Sequence, residues 1–535
     1  MYSPWFVAVV SLFALLTYTG RHGLAYAAAA DDAPTAWPVQ QFVSRPDLRP
    51  PVFKYNRTGE SDPGYIFVAP IVDGPTSGYI MTEDGHLIYA TPASTYAPRN
   101  LKPWKLWDKD VLVYNELQYW NGDLVVSYGS VVIMDDTYTV LYNVMLQDRD
   151  LNPQFPGEYI SYMDTYEALI TVDNTLIVVA GNATPWDLSP VGGPSDGWLR
   201  DSVVYELDIE TNEILYRWRA SDDVPIRWSK APLGGEYGDG TSAAQAWDAF
   251  HVNSADSFEG GLMVSLRNCW AGVYVRKSTG RMAWHIEGSG GGNLSLDARG
   301  AFSWQHDMRL ETDDTTGGII LHMHNNQNSK RGVQYKPTNG LVLDLDLKNM
   351  RAAARQTLEN AERPAYAWNS GSMTWSPHSH AFLSYGSESR MQEFDRDGNS
   401  VYELQYGAPG IGFSYRGYKT RWRGFPAESP TAVACRQDGS VYVFMSWNGA
   451  TEVTRWDVYA YAVANGDEAA GFVEFPVARV ARTGFETRAV LNRSAEAVQV
   501  EASGGGDDGN TTRSEVVKVQ ADCRASGIDV ERAVS

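Results

Sequence analysis

Residues Val203 to Trp218 read VVYELDIETNEILYRW. Apolar and polar side chains alternate on both sides of a polar turn at Asp208–Glu213, the period-two signature of two strands joined as a hairpin. The unit recurs as GVYVRKSTGRMAWHI (from Gly272), GLVLDLDLKNMRAAA (from Gly340), MQEFDRDGNSVYEL (from Met391) and DVYAYAVANGDEAAGF (from Asp457). Weaker copies stand at GYIMTEDGHLIYA (from Gly78) and MDDTYTVLYNV (from Met134). The spacing, roughly 50 to 70 residues, exceeds the about 40–45 of a minimal propeller blade, so insertions separate the strands. Four-stranded sheets set radially satisfy this pattern, because each buries both faces against its neighbours and closure protects the edges. The expected fold is all-β: a six-bladed β-propeller, with seven blades as the alternative, and additional C-terminal strands. Only LKNMRAAARQTLENAE, Leu347 to Glu362, reads as helix, or else as the extension of an irregular strand.

The expected domain plan runs from a signal peptide (1–27) through an N-terminal extension (28–62) and the propeller (63–470) to a β-rich C-terminal extension (471–535). The signal peptide rests on the apolar run Trp5–Leu16 followed by Ala25-Tyr26-Ala27, an A-x-A cleavage site. That run is shorter than the about 20 residues of a membrane span, and later apolar runs are broken by charge, Gly or Pro. A secreted, extracellular protein with no membrane attachment after cleavage is expected. Sequons at Asn56, Asn182, Asn293, Asn492 and Asn510 fit that route as glycosylation sites. The Gly/Asp-rich loop 503–512 reads as a flexible linker or hairpin tip. Three cysteines, Cys269, Cys435 and Cys523, allow at most one bridge, so stability must come from a large core. A net charge of −21 argues against nucleic acid as a partner, since the mean field repels polyanions.

Among nine histidines, His22 falls in the signal peptide, while His251 in AWDAFHVNSAD and His306 in FSWQHDMRL fall in aromatic, turn-rich contexts. In a propeller the innermost strands line a central channel, so these two are candidates for one axial constellation. His322 and His324 in LHMHNN share a strand face but have no third ligand at metal spacing, so no metal is expected there. His378 and His380 in SPHSHAF read as a polar turn.

The ordered segments WDAFHVNS, KSTGRMAWHI, FSWQHDMRL, GLVLDLD, GSMTW, EFDRDGNSVYEL, YRGYKTRWRGFP and SWNGATEV, spread over Ala246 to Trp456, are similar to the arylsulfotransferases, in particular their divergent secreted fungal branch. The resemblance implies an axial site on a six-bladed propeller. It also implies sulfuryl transfer from a phenolic sulfate ester to a phenol through a sulfohistidine, with no nucleotide donor, cofactor or metal. His306 matches the nucleophile's motif, and His251 matches the histidine that stabilises the leaving oxygen. Asn253, two residues on, shares a strand face with His251.

Three positions depart from the family pattern. Asn268 stands where a third histidine is usual, His285 follows Trp284 where an arginine is usual, and Thr338-Asn339-Gly340-Leu341 replaces Ser-Arg-Gly-Leu. Asn268 and His285 thus become weaker substrate-binding candidates. An amide can hydrogen-bond a sulfuryl oxygen but cannot neutralise it. Arg309 is the nearest replacement cation in sequence, with Arg331, Lys336, Arg421 and Arg423 as loop alternatives. Trp304 and Trp270 flank the motifs and suit a phenolic ring. The alternative function is a catalytically inactive extracellular propeller that binds a ligand or partner, with a quinone-dependent dehydrogenase as a weaker third. Oligomeric state is open.

Overall fold

The computed structural model describes residues 37–71, 76–313, 316–330, 335–376, 380–408, 412–461, 475–504 and 511–530. The expected signal peptide, Asn510, Arg331, His378 and most of the 503–512 loop lie outside the described residues. Apart from short 3-10 turns, all regular structure here is strand, arranged in eight sheets. No helix among the described residues is long and apolar enough to cross a membrane.

Six sheets share one plan of antiparallel strands, one of them with the short strand Ser295–Leu296 added in parallel. Their first strands are Arg99–Leu106, Asp164–Ile170, Val252–Phe258, His306–Thr312, Ser372–Trp375 and Ser414–Thr420. In five of them the chain runs outward through successive hairpins. The sixth is completed from both ends of the sequence: Ser414–Thr420 pairs with Tyr65–Pro70, which leads to Tyr79–Met81 and Leu87–Ala90. The six first strands touch their neighbours in the order given, and Ser414–Thr420 touches Arg99–Leu106 in turn.

Packing explains why the strands carry nearly continuous apolar runs. Val126–Met134 is buried along its whole length, as expected of a strand covered on both faces. Each interface between neighbouring sheets has its own apolar cluster: Val113, Ile133, Val178 and Val203 fill one, and Val179, Val204, Val264 and Val273 the next. The recurring hairpins at Gly78, Met134, Val203, Gly272, Gly340 and Met391 form the outer part of these six sheets. Leu347–Glu362 is not helical: Arg351–Leu358 pairs with Asn339–Asp346, with Ala352 and Leu358 turned inward.

The unit at Asp457 belongs elsewhere. Its strand Arg455–Tyr461 pairs with Ala478–Ala481 and Ala497–Ser503, and Thr431–Gln437, Ser440–Ser446 and Glu486–Leu491 form a companion sheet. The boundary expected at 470 falls between two strands of this C-terminal pair. Cys435 and Cys523 form a disulfide within it, and Cys269 is free and buried.

Buried charge joins five of the six first strands near mid-length. Arg309 reaches Glu167 at 2.8 Å and Asp307 at 2.7 Å, while Arg416 reaches Glu167 at 3.1 Å and Asp307 at 3.5 Å. Arg416 also donates to the Asn253 carbonyl, and the Met373 N–H donates to Asp307. Burial alone would raise the Asp307 and Glu167 carboxyls, but the two guanidiniums hold both below the usual carboxylate range.

Candidate active site

His251 and His306 stand at the starts of neighbouring first strands, and both are pinned by hydrogen bonds. The Nδ1 of His306 lies 2.8 Å from the Asn326 amide oxygen, so it carries the proton. Its Nε2 accepts from the Ser370 N–H at 3.2 Å. Burial, with Arg267 adding to it, pushes the His306 pKa well below that of free imidazole, so the ring is neutral. The Nδ1 of His251 lies 2.6 Å from Asp248, and no hydrogen bond engages its Nε2 among the described residues. Burial works to raise the Asp248 carboxyl, but His251 and Arg200 hold it down to about 2. One histidine is thus kept neutral, and the other is backed by a carboxylate.

Aromatic rings bridge them. His251 lies 5.2 Å from Tyr166, Tyr166 lies 5.5 Å from Tyr415, and Tyr415 lies 6.4 Å from His306, centroid to centroid. The Arg99 guanidinium sits over Tyr166 and Tyr415 at 5.4 and 5.3 Å. Arg267 sits 5.0 Å from the Trp304 ring and donates to the Asn268 amide oxygen and the Trp368 carbonyl. Arg99 is 4% exposed and Arg267 6%, yet neither has a carboxylate within ion-pair distance among the described residues, and the Nε of each has no hydrogen-bond partner. A buried cation without a counter-charge is costly, and an anion supplied by a ligand relieves it.

Local backbone conformation supports a built site. His251, Trp270, Trp304, Asp307 and Ser370 all hold φ between 51 and 60°, a region most non-glycine residues avoid. Gly371, at φ 111°, closes the same turn, and a Cβ there would fall 2.4 Å from the His324 ring. Only glycine fits that position.

The remaining candidates divide. Trp304 joins the wall through Tyr237 at 6.4 Å and Trp270 at 5.5 Å. Asn253 is fully buried and donates to the Gln305 carbonyl. Asn268 donates to the Asp248 carbonyl and accepts from Arg267, so its amide braces the cation. His285 stands apart on the outermost strand of its sheet, stacked 4.4 Å from Trp228. Arg309 is engaged by Glu167 and Asp307 in the buried network between the first strands. Lys336, Arg421 and Arg423 are exposed. Arg267, Arg99, Asp248, Asn326, Tyr166 and Tyr415 were absent from the sequence-derived site.

Of the sequons described, Asn56, Asn293 and Asn492 are exposed, whereas the Asn182 side chain is tied to Asn152 and Thr184. One group among the described residues brings metal-ligating atoms together: Asp62, His380 and Glu393. Glu393 there already takes the Lys419 ammonium at 2.5 Å.

A family model described as arylsulfotransferase (ASST) matches residues 102–407, a span that includes both histidines and Arg267. The chain belongs to the arylsulfotransferase family. No curated protein matches this arylsulfotransferase relative. Among solved structures it is similar to a Bacteroides caccae protein of unknown function, at 10% identity and TM-score 0.35, over 67% of this chain and 99% of that one. It is also similar to Kuenenia stuttgartiensis hydrazine synthase, at 10% identity and TM-score 0.33, over 66% and 93%. A third is the Fusarium graminearum α-L-arabinofuranosidase complexed with arabinobiose, at 12% identity and TM-score 0.35, over 71% and 93%.

Proposed function

We propose that this arylsulfotransferase-family protein is a secreted six-bladed propeller that transfers a sulfuryl group from a phenolic sulfate ester to a phenol at its axial site. The observation that carries the reading is the meeting of His251 and His306 with Arg267, a buried guanidinium that has no carboxylate partner among the described residues. The disulfide Cys435–Cys523 supports an oxidising compartment.

In the first half-reaction the Nε2 lone pair of His306 attacks sulfur and the sulfur–aryl oxygen bond breaks. The departing phenolate takes a proton from Nε2 of a protonated His251, whose Nδ1–H stays on Asp248. Asn326 holds the proton on Nδ1 of His306, so the attacking nitrogen is the unprotonated one. Arg267 and Arg99 oppose the charge on the sulfuryl oxygens, the role that the departures at Asn268 and His285 left open. In the second half-reaction His251 accepts the proton of an incoming phenol, whose oxygen attacks sulfur as the sulfur–nitrogen bond breaks.

A second reading exchanges the histidines. The Nε2 of His306 is engaged by the Ser370 N–H, whereas that of His251 has no hydrogen bond among the described residues. Incubation with 4-nitrophenyl sulfate, followed by mass spectrometry at alkaline pH, separates the two. A sulfuryl adduct on the His306 peptide supports the first reading, and one on the His251 peptide the second. Absence of both adduct and 4-nitrophenolate release refutes sulfuryl transfer.

A further inference from the structure

The six first strands also enclose a cavity at their far ends, separated from the histidines by the Glu167–Arg309–Arg416–Asp307 network. It measures about 430 Å³, and Lys102, Ile170, Asp256, Arg309, Trp375 and Tyr418 contribute to its lining, one from each first strand. Such a volume lies within the about 300–1,000 Å³ of small-molecule sites.

Lys102 sets this cavity apart. It is 5% exposed, and it makes no ion pair or hydrogen bond among the described residues. The other cations in the lining are all matched: Arg309 by Glu167 and Asp307, His322 by Glu311, and Lys419 by Glu393 and Glu83. The Lys102 ammonium lies instead 4.1 Å from the Trp104 ring centroid and 5.4 Å from that of Tyr418. Nearby, the Tyr418 and Thr374 hydroxyls and the Trp375 indole N–H are buried with no partner. Unmatched donors beside aromatic walls suit a flat ring bearing acceptor oxygens. Asp256, Glu311 and Asp307 share the lining, so they oppose any second negative charge.

We propose that this cavity is a second ligand site, one that binds an aromatic monoanion with its charged group on Lys102 and its ring between the tryptophans. The site stands independently of the sulfuryl-transfer reading, since none of its residues takes part in that reaction. Burial, opposed by Glu167, pulls the Lys102 pKa down to about 7, and pairing with an anion would restore the ammonium.

Calorimetric titration of the full chain with benzoate and, separately, with phenyl sulfate tests the proposal. At least one should bind the native protein, lose affinity about tenfold or more in Lys102→Met, and keep its affinity in Arg267→Gln. Dependence on Lys102 for benzoate alone identifies a carboxylate, and for phenyl sulfate alone a sulfate ester. Failure of both to bind, or equal affinity in Lys102→Met, overturns the site. Hydrogen exchange on the native protein gives a reading free of any folding defect in the variant. Ligand should slow exchange at Ile170–Val172, and protection confined to the His251 and His306 peptides would refute the second site.

Discussion

At Arg267 a buried guanidinium stands beside Asn268, the position where a third histidine was expected. Asn268, which looked in the sequence like a lost catalytic group, accepts a hydrogen bond from Arg267 and donates to the Asp248 carbonyl, joining the cation to the segment that backs His251. Arg267→Gln should therefore lower kcat/KM for an aryl sulfate by about 100- to 1,000-fold, the loss typical of one transition-state donor. Steady-state assays with 4-nitrophenyl sulfate would measure it. His324 makes a separate prediction, about stability. Burial lowers its pKa from 6.5 to about 4, so the unfolded chain binds the extra proton between those values, and stability is lost as pH falls through this window. His322 is raised instead, by Glu311 against the opposing effect of burial, and contributes with the opposite sign. Urea unfolding between about pH 8 and about pH 5 should show a loss about 2 kcal/mol smaller in His324→Gln than in the native protein. His251 and His306 were legible because each sits in a recognisable motif. Arg99 and Tyr415 were not, because only folding brings strands so distant in sequence together, Arg99 over Tyr166 and Tyr415, and Tyr415 against His306.

Among the elements, the outer hairpins were easier to read than the inner strands, for a physical reason. Outer pairs such as Gly197–Asp208 with Ile214–Arg219 alternate around a polar turn, whereas the first strands carry Glu167, Asp307, Arg309 and Arg416 in their interiors. Buried charges disguise a strand as a loop. They also fasten it: Glu167 reaches Arg309 and Arg416, which lie on two other strands. Glu167→Gln leaves both guanidiniums to Asp307 alone and should cost about 3–5 kcal/mol, as breaking a buried pair does. Chemical denaturation would register the loss as an earlier midpoint. Arg351–Leu358 misled for another reason, since its run of alanines has the composition of a helix and only pairing to Asn339–Asp346 decides the matter.

For the molecule as a whole, sequence spacing fixed neither the cysteine pairing nor the ownership of the last strands. Cys435 and Cys523 are separated by 88 residues, so closing that loop should stabilise the folded state by about 4–5 kcal/mol relative to the open chain. Guanidinium unfolding with and without reductant should differ by about that amount. Turnover of 4-nitrophenyl sulfate at ambient temperature should persist in the reduced protein, because the bridge lies in the C-terminal sheets. The joining of Ser414–Thr420 to Tyr65–Pro70 has its own consequence for biosynthesis. A chain made from its N-terminus exposes the edge of Tyr65–Pro70 long before its partner exists, and an unpaired edge invites aggregation. Final folding must therefore wait until synthesis has passed Thr420, and a product truncated upstream of Ser414 would keep that edge open for good.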